Sequence, residues 1–173
     1  VAHTYRYQDE APELSAIGAI REAEAARFDA QVDTLVSLGD VSTTVATRIE
    51  VDVQSGSVTA LLLHVPEGLS LLEVSAPSLR RYVMEEDRSL RIELTQPMEG
   101  RFTVELLSDR VTGQEDELDM PLIGVAGAEV ERGRVGVEAL APFQVDMASA
   151  EHLSPIDPSE LPEQLMLRTD NPI

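Results

Sequence analysis

The sequence predicts an all-β chain, an antiparallel β-sandwich of many short strands with at most one or two short helical turns. Three observations carry this expectation. Residues 41–54, VSTTVATRIEVDVQ, alternate strictly, with Val41, Thr43, Val45, Thr47, Ile49, Val51 and Val53 on one face and polar side chains on the other. Period-two alternation of β-branched residues marks a half-buried strand. Turn signals then recur about every 8–12 residues, as in sandwiches and barrels. The connections are too short for crossover helices, which implies antiparallel pairing.

Taken in order, the elements begin with residues 22–38. Phe28, Ala30, Val32, Val36 and Leu38 fit a strand face, whereas Ala25, Phe28, Val32 and Leu35 fit a helix face. Alanine favours helix, but the run leads directly into the Val41 strand, and we assign strand. Gln54-Ser55-Gly56-Ser57 reads as a turn and Val58–Val65 as the returning strand, making a hairpin. Pro66-Glu67-Gly68 punctuates, and Leu69–Val74 is another short apolar run. Ser89–Leu94 alternates, Met98-Glu99-Gly100 reads as a turn, and Phe102, Val104 and Leu106 point inward on the next strand. After an acidic loop, Leu122-Ile123 and Glu129–Glu131 read as strands. Arg132-Gly133-Arg134 reads as a turn, and Val135–Val137 and Phe143–Met147 as further strands. Asp157-Pro158-Ser159-Glu160 has the capping-box arrangement, an acid before a first-turn proline and Glu at the third position. Pro162 limits it to about one turn, whose expected role is to pin the C-terminal segment across the sheet. Arg48–Val51 and Arg91–Leu94 resemble each other, but four alternating residues are too few to establish a duplication.

The 173 residues are expected to form a single module spanning 1–173, with residues 110–124 the place where it could divide. Both ends read as cut from a longer chain. Hydrophobic content of 43% and charged content of 26% are those of a chain that folds.

Charge excludes more than it suggests. There are 32 acidic residues against 13 basic, a formal net charge of −19. Such a surface repels phosphate backbones and anionic lipid, so nucleic acid is not an expected partner. Every basic residue is arginine, a bias that fits GC-rich coding better than salt adaptation, because Glu outnumbers Asp. With no cysteine, disulfides, thiolate zinc sites and iron–sulfur clusters are ruled out. With no lysine, Schiff-base chemistry and a phosphate-loop lysine are ruled out too. The strongest apolar stretch, Val58–Val65, is far short of the ~20 residues of a membrane span, so no membrane insertion is expected.

No catalytic, cofactor-binding or metal-binding residues are assigned. His3, His64 and His152 are far apart and lack metal-ligand spacing, and His64 is expected on the polar face of its strand. Two acidic clusters, Glu85-Glu86-Asp87 and Glu115-Asp116-Glu117 with Asp119, are the strongest site candidates. Carboxylates on loops can gather Ca²⁺, but neither cluster has the spacing of a known calcium loop. A glycosidase pair is disfavoured because the chain has no Trp and only three Tyr and three Phe to stack on sugars. There is no nucleophile elbow, and Gly124-Val125-Ala126-Gly127 lacks the helix start of a phosphate loop.

His3-Thr4-Tyr5-Arg6-Tyr7, VPEGLSLLEVSAP (Val65–Pro77) and SPIDPSELPEQL near the end together resemble β-rich repeat modules of large uncharacterised bacterial envelope or secreted proteins. The resemblance implies a tandem building block in an extracytoplasmic setting; it implies no activity and carries over no functional residue, and no cofactor is expected. Its partners would be neighbouring domains of the same chain or another protein. The expected function is a non-catalytic structural or protein-interaction module. The alternatives are a carbohydrate-binding or carbohydrate-processing sandwich and a Ca²⁺-stiffened adhesion-type domain, and fold alone does not choose among them.

Overall fold

Runs that alternate at period two must find their backbone hydrogen-bond partners on neighbouring strands. The computed structural model, which describes residues 25–111, 119–140 and 153–167, meets that need with one mixed sheet of seven strands. These are β1 (Arg27–Leu38), β2 (Ser42–His64), β3 (Ser70–Ser75), β4 (Leu79–Met84), β5 (Ser89–Val111), β6 (Gly124–Val125) and β7 (Glu131–Ala139). The order is β3-β5-β2-β1-β7, with β4 also beside β5 and β6 beside β2. The chain is all-β, as expected. Helix is confined, among the described residues, to a 3-10 turn at Pro158–Glu160 and one turn of α-helix, α1 (Glu163–Met166). Residues 27–38 are strand, resolving the helix–strand ambiguity there.

The expected short strands are in two cases halves of long ones. Gln54–Ser57 does not turn the chain back, nor does Met98–Gly100: β2 and β5 each run through for 23 residues. They pair antiparallel along nearly their whole length. Val53 faces Gly100 and Ala60 faces Glu93, so seven residues separate these pairings on each strand (60 − 53 and 100 − 93), with irregular register between them. Gly56 (φ 72°) and Gly100 (φ 65°) supply the left-handed backbone there. The turn chemistry was legible in the sequence, but it serves paired β-bulges rather than hairpin ends.

Those bulges bend the ribbon. Ser75 of β3 pairs with Glu105, and Leu79 of β4 pairs with Leu94. Four residues thus cross between two points that lie eleven apart on β5 (105 − 94). Eleven extended residues reach about 36 Å and four about 13 Å, so β5 cannot be straight. Because the register is the same on both sides of the bend, one face stays inward throughout. Val45, Ile49, Val51 and Val53 before it join Leu61 and Leu63 after it, with Leu90, Ile92, Leu94, Phe102, Val104 and Leu106 from β5, in one buried cluster.

Pairing is antiparallel except between β1 and β7, which run parallel. The turn expected at Arg132–Arg134 is therefore the start of a straight strand, and the strand expected at Leu122-Ile123 is the two-residue β6 just beyond it. Gly133 is required by proximity: a Cβ there would lie 1.8 Å from the carbonyl oxygen of Val32. Glu131 ties the β6 segment to β7, its Oε2 accepting from the Val125 amide at 2.6 Å.

The other face of the sheet is covered by the C-terminal segment, as the capping box predicts. Asp157 accepts from the Ser159 amide at 2.9 Å, and Glu160 accepts from the Asp157 amide at 3.2 Å. Leu165 packs on Leu35 and Ala46, with Leu107 alongside, forming a second small cluster. The strand expected at Phe143–Met147 lies outside the described residues.

Candidate interaction edge

His64 is exposed at the end of β2, opposite Ser89. His3, His152 and Glu115-Asp116-Glu117 lie outside the described residues; Asp119 is exposed. Glu85, Glu86 and Asp87 form the turn joining β4 to β5, and their carboxylates do not converge. Asp87 accepts from the Ser89 amide at 3.0 Å, while Glu85 pairs with Arg91 at 3.3 Å. The Ser89 amide holds the Asp87 carboxyl below the usual carboxylate range. Among the described residues no three His, Asp or Glu side chains are grouped as metal ligands, and no helix is long and apolar enough to cross a membrane.

The turn is braced from behind. Arg88, at φ 65°, sends its guanidinium to the carbonyls of Pro66 (2.9 Å) and Leu69 (2.7 Å), and its own carbonyl accepts from the Val65 amide at 3.0 Å. The acidic turn is thereby fixed to the loop between β2 and β3.

Two concave features lie among the described residues. A cleft of about 10 Å³ lies between β2, β5 and α1, lined by Thr47, Arg48, Glu105 and Leu165 among others. That is room for one water. A second depression at the ribbon bend, lined by Gln54–Ser57, Glu99 and Gly100, is wide open to solvent.

The feature with a clear chemical capacity is the flank of β5. Among the described residues, β3 and β4 each pair with β5 on one side and with nothing on the other. Such an edge presents a row of free amides and carbonyls. Leu72 on β3 is 56% exposed, and Tyr82 and Val83 on β4 are 45% and 42% exposed. The Glu85 amide donates to the Ser89 carbonyl at 2.8 Å, which sets the phase of the ladder, with Glu85 directing its backbone amide at β5. By the alternation of an antiparallel ladder, Arg81 and Val83 then point their backbone groups at β5, and Tyr82 and Met84 point theirs outward. Arg81 grips Glu93 with two bonds, at 2.8 and 2.9 Å, keeping the Glu93 carboxyl low and the guanidinium high in pKa. Arg80 makes no ion pair among the described residues.

Sequence reasoning passed over β4 because Leu79-Arg80-Arg81-Tyr82-Val83-Met84 does not alternate. A bulge between Leu79 and Arg81 shifts the face, and four of its six residues are exposed. The signal available was charge patterning around a short apolar centre.

No family model matches the chain, and no curated protein matches it. Among solved structures it is similar to part of M1 zinc metallopeptidase chains. One is an M1 zinc metallopeptidase mutant from Deinococcus radiodurans with bound Tyr-Ser-Ala: 14% identity and a TM-score of 0.41 over 55% of this chain and 23% of that one. The M1 zinc metallopeptidase from Deinococcus radiodurans without the mutation is 12% identical, with a TM-score of 0.41 over 57% and 24%. The chain therefore spans about a quarter of the length of the solved chains it matches.

Proposed function

We propose that this chain is a non-catalytic structural or protein-interaction module of a larger exported bacterial protein, acting through an open strand edge. The observation that carries the proposal is the β3–β4 flank, unpaired on its outer side among the described residues and carrying exposed Leu72, Tyr82 and Val83. Free strand edges bind other chains by extending the sheet: the backbone provides affinity and the flanking side chains choose the partner. The partners are neighbouring domains of the same chain or another protein. The resemblance of Val65–Pro77 and the C-terminal stretch to envelope and secreted modules supports an extracytoplasmic setting.

The test is a thermal melt followed by circular dichroism, in CaCl₂, in NaCl of matched ionic strength, and with a panel of oligosaccharides. A structural module gains equally from both salts, because screening relieves its −19 charge. A midpoint raised several degrees by Ca²⁺ alone would replace the proposal with a calcium-stiffened domain. The same shift from one saccharide would replace it with a carbohydrate-binding domain.

A further inference from the structure

The β4 edge has a charge order that is self-complementary when two copies meet. Reading Arg80-Arg81-Tyr82-Val83-Met84-Glu85-Glu86, two cations precede an apolar centre and two anions follow it. A strand of that order is its own complement under a two-fold rotation, because antiparallel pairing places the N-terminal half of one copy beside the C-terminal half of the other. From these observations we propose that the chain pairs with a second copy of itself, β4 against β4 in antiparallel register centred on Val83. The proposal rests on the edge function proposed above and names its partner.

The backbone permits that register. Tyr82 and Met84 point their amides and carbonyls away from β5, so the pairing must set even-numbered residues against even-numbered ones. Centring on Val83 does so: Tyr82 meets Met84 of the partner subunit as a hydrogen-bonded pair, and the two Val83 residues meet as a non-bonded pair, where side chains are closer. The same register brings Arg80 beside Glu86, twice by symmetry. Arg81 and Glu85 also come side by side, but they are already paired with Glu93 and Arg91 within the chain, so the charge pair that association adds is Arg80 with Glu86. Opposite charges across a strand pair stabilise it and like charges destabilise it. Centring one residue earlier keeps the backbone parity but sets Arg80 beside Met84 and wastes both anions.

Three features support a second copy as the occupant. The stretch from Leu79 to Leu94 contains four Arg (80, 81, 88, 91) and four acids (85, 86, 87, 93), so it is neutral within a chain of net charge −19. Another copy approaches here without the repulsion it meets elsewhere. Arg80 makes no ion pair among the described residues; its charge acts on the Glu93 carboxyl only at longer range, so its guanidinium can turn toward a partner strand. The Arg88 brace holds the turn bearing Glu86 against the β2–β3 loop, so the anionic end is already ordered. β4 is only six residues long and Glu86 lies in the turn beyond its end, which makes the contact a weak, reversible one.

Sedimentation velocity at physiological ionic strength tests the pairing, on the wild-type chain, Arg80→Glu, Glu86→Arg and the double exchange, from about 10 µM to 1 mM, the range for small transient interfaces. The wild type is expected to pass from monomer to dimer. Each single reversal sets two like pairs face to face and should weaken association at least tenfold; the double exchange should return it to within about threefold of wild type. Tyr82→Pro removes an amide that faces away from β5, so it should leave the melt of the monomer near wild type and abolish the dimer. If Tyr82→Pro unfolds the chain, the charge exchange still decides. A wild type that stays monomeric to 1 mM overturns self-pairing. So does a dimer indifferent to the reversals, which would move the contact to β3 or β7 and leave the edge function standing. That function falls separately, by a ligand-specific shift in the melt.

Discussion

Asp33 and Arg134 stand opposite each other across the parallel pair of β1 and β7, joined by two bonds of 2.8 Å. The Asp33 side chain is 4% exposed and that of Arg134 33%. Gln31 adds a third bond to Asp33 at 3.0 Å, and Arg134 also donates to the Glu160 carbonyl of the C-terminal segment. One guanidinium thus joins β1, β7 and the segment covering them. The hydrogen bonds that Arg134 donates to Asp33 raise its pKa further. A buried pair of this kind adds little over an apolar substitute, but removing one partner strands the other. Arg134→Met should cost about 2–3 kcal/mol in a denaturant melt, just below the range for fully buried pairs because Arg134 keeps a third of its side chain in water. Asp33→Leu with Arg134→Met should recover most of that loss. A double variant as unstable as the single would show that the charge itself is needed.

The two glycines of β7 should behave unequally. A Cβ on Gly133 would sit 1.8 Å from the Val32 carbonyl oxygen, a backbone atom in the β1–β7 ladder itself. On Gly136 it would meet the Leu161 Cδ1 at 2.5 Å and Leu35 at 3.3 Å, both ends of flexible side chains. Gly136→Ala should cost about 1–3 kcal/mol, as ordinary overpacking does. Gly133→Ala should cost more and free β7, seen as faster amide exchange across residues 131–139. Equal costs would contradict the parallel register.

The inward face was legible because it depends on local alternation: Val45, Ile49, Val51, Phe102 and Val104 are all buried where the sequence pattern put them. Topology was not, and the reason lies in Gly56 and Gly100. A hairpin turn and a β-bulge both use glycine at positive φ, and only the distant partner strand decides between them. Gly133 misleads in the same way, since its need arises from Val32, about a hundred residues earlier. The capping box at Asp157 was readable because its partners are two and three residues away. The β4 edge escaped notice because exposed strands lack the burial pattern that makes strands visible.

Thr47 and Ser108 carry buried hydroxyls with no hydrogen-bond partner among the described residues. Thr47 is 1% exposed and sits on the core-facing side of β2, opposite Thr34 on β1. A buried hydroxyl without a partner costs roughly 1–3 kcal/mol of desolvation. Thr47→Val keeps the shape and removes the polar atom, so it should raise stability by about 1 kcal/mol. The measurement is the denaturant midpoint at unchanged slope. A fall would mean that the hydroxyl bonds to an internal water.

The C-terminal segment should come loose in acid before the sheet does. Asp157 accepts from both the hydroxyl (2.6 Å) and the amide (2.9 Å) of Ser159, and these bonds hold its carboxyl below the usual carboxylate range. A carboxyl whose pKa is depressed by folding gives stability that is fully present above its unfolded value, about 3.9, and is lost as pH falls through the lower folded value. Glu93 and Glu129 shift in the same direction through Arg81 and Arg27, but they tie strand edges and not the C-terminal segment. The melting gap between wild type and Asp157→Ala should therefore be constant from pH 7 to 5 and close below about pH 4. Amide exchange at Ser159 and Leu165 should quicken over the same interval, while Ile49 and Val104 in the sheet stay protected. A gap that widens toward pH 3 would show that Asp157 acts protonated, and would remove it as the cap that holds Leu161 and Leu165 over the sheet.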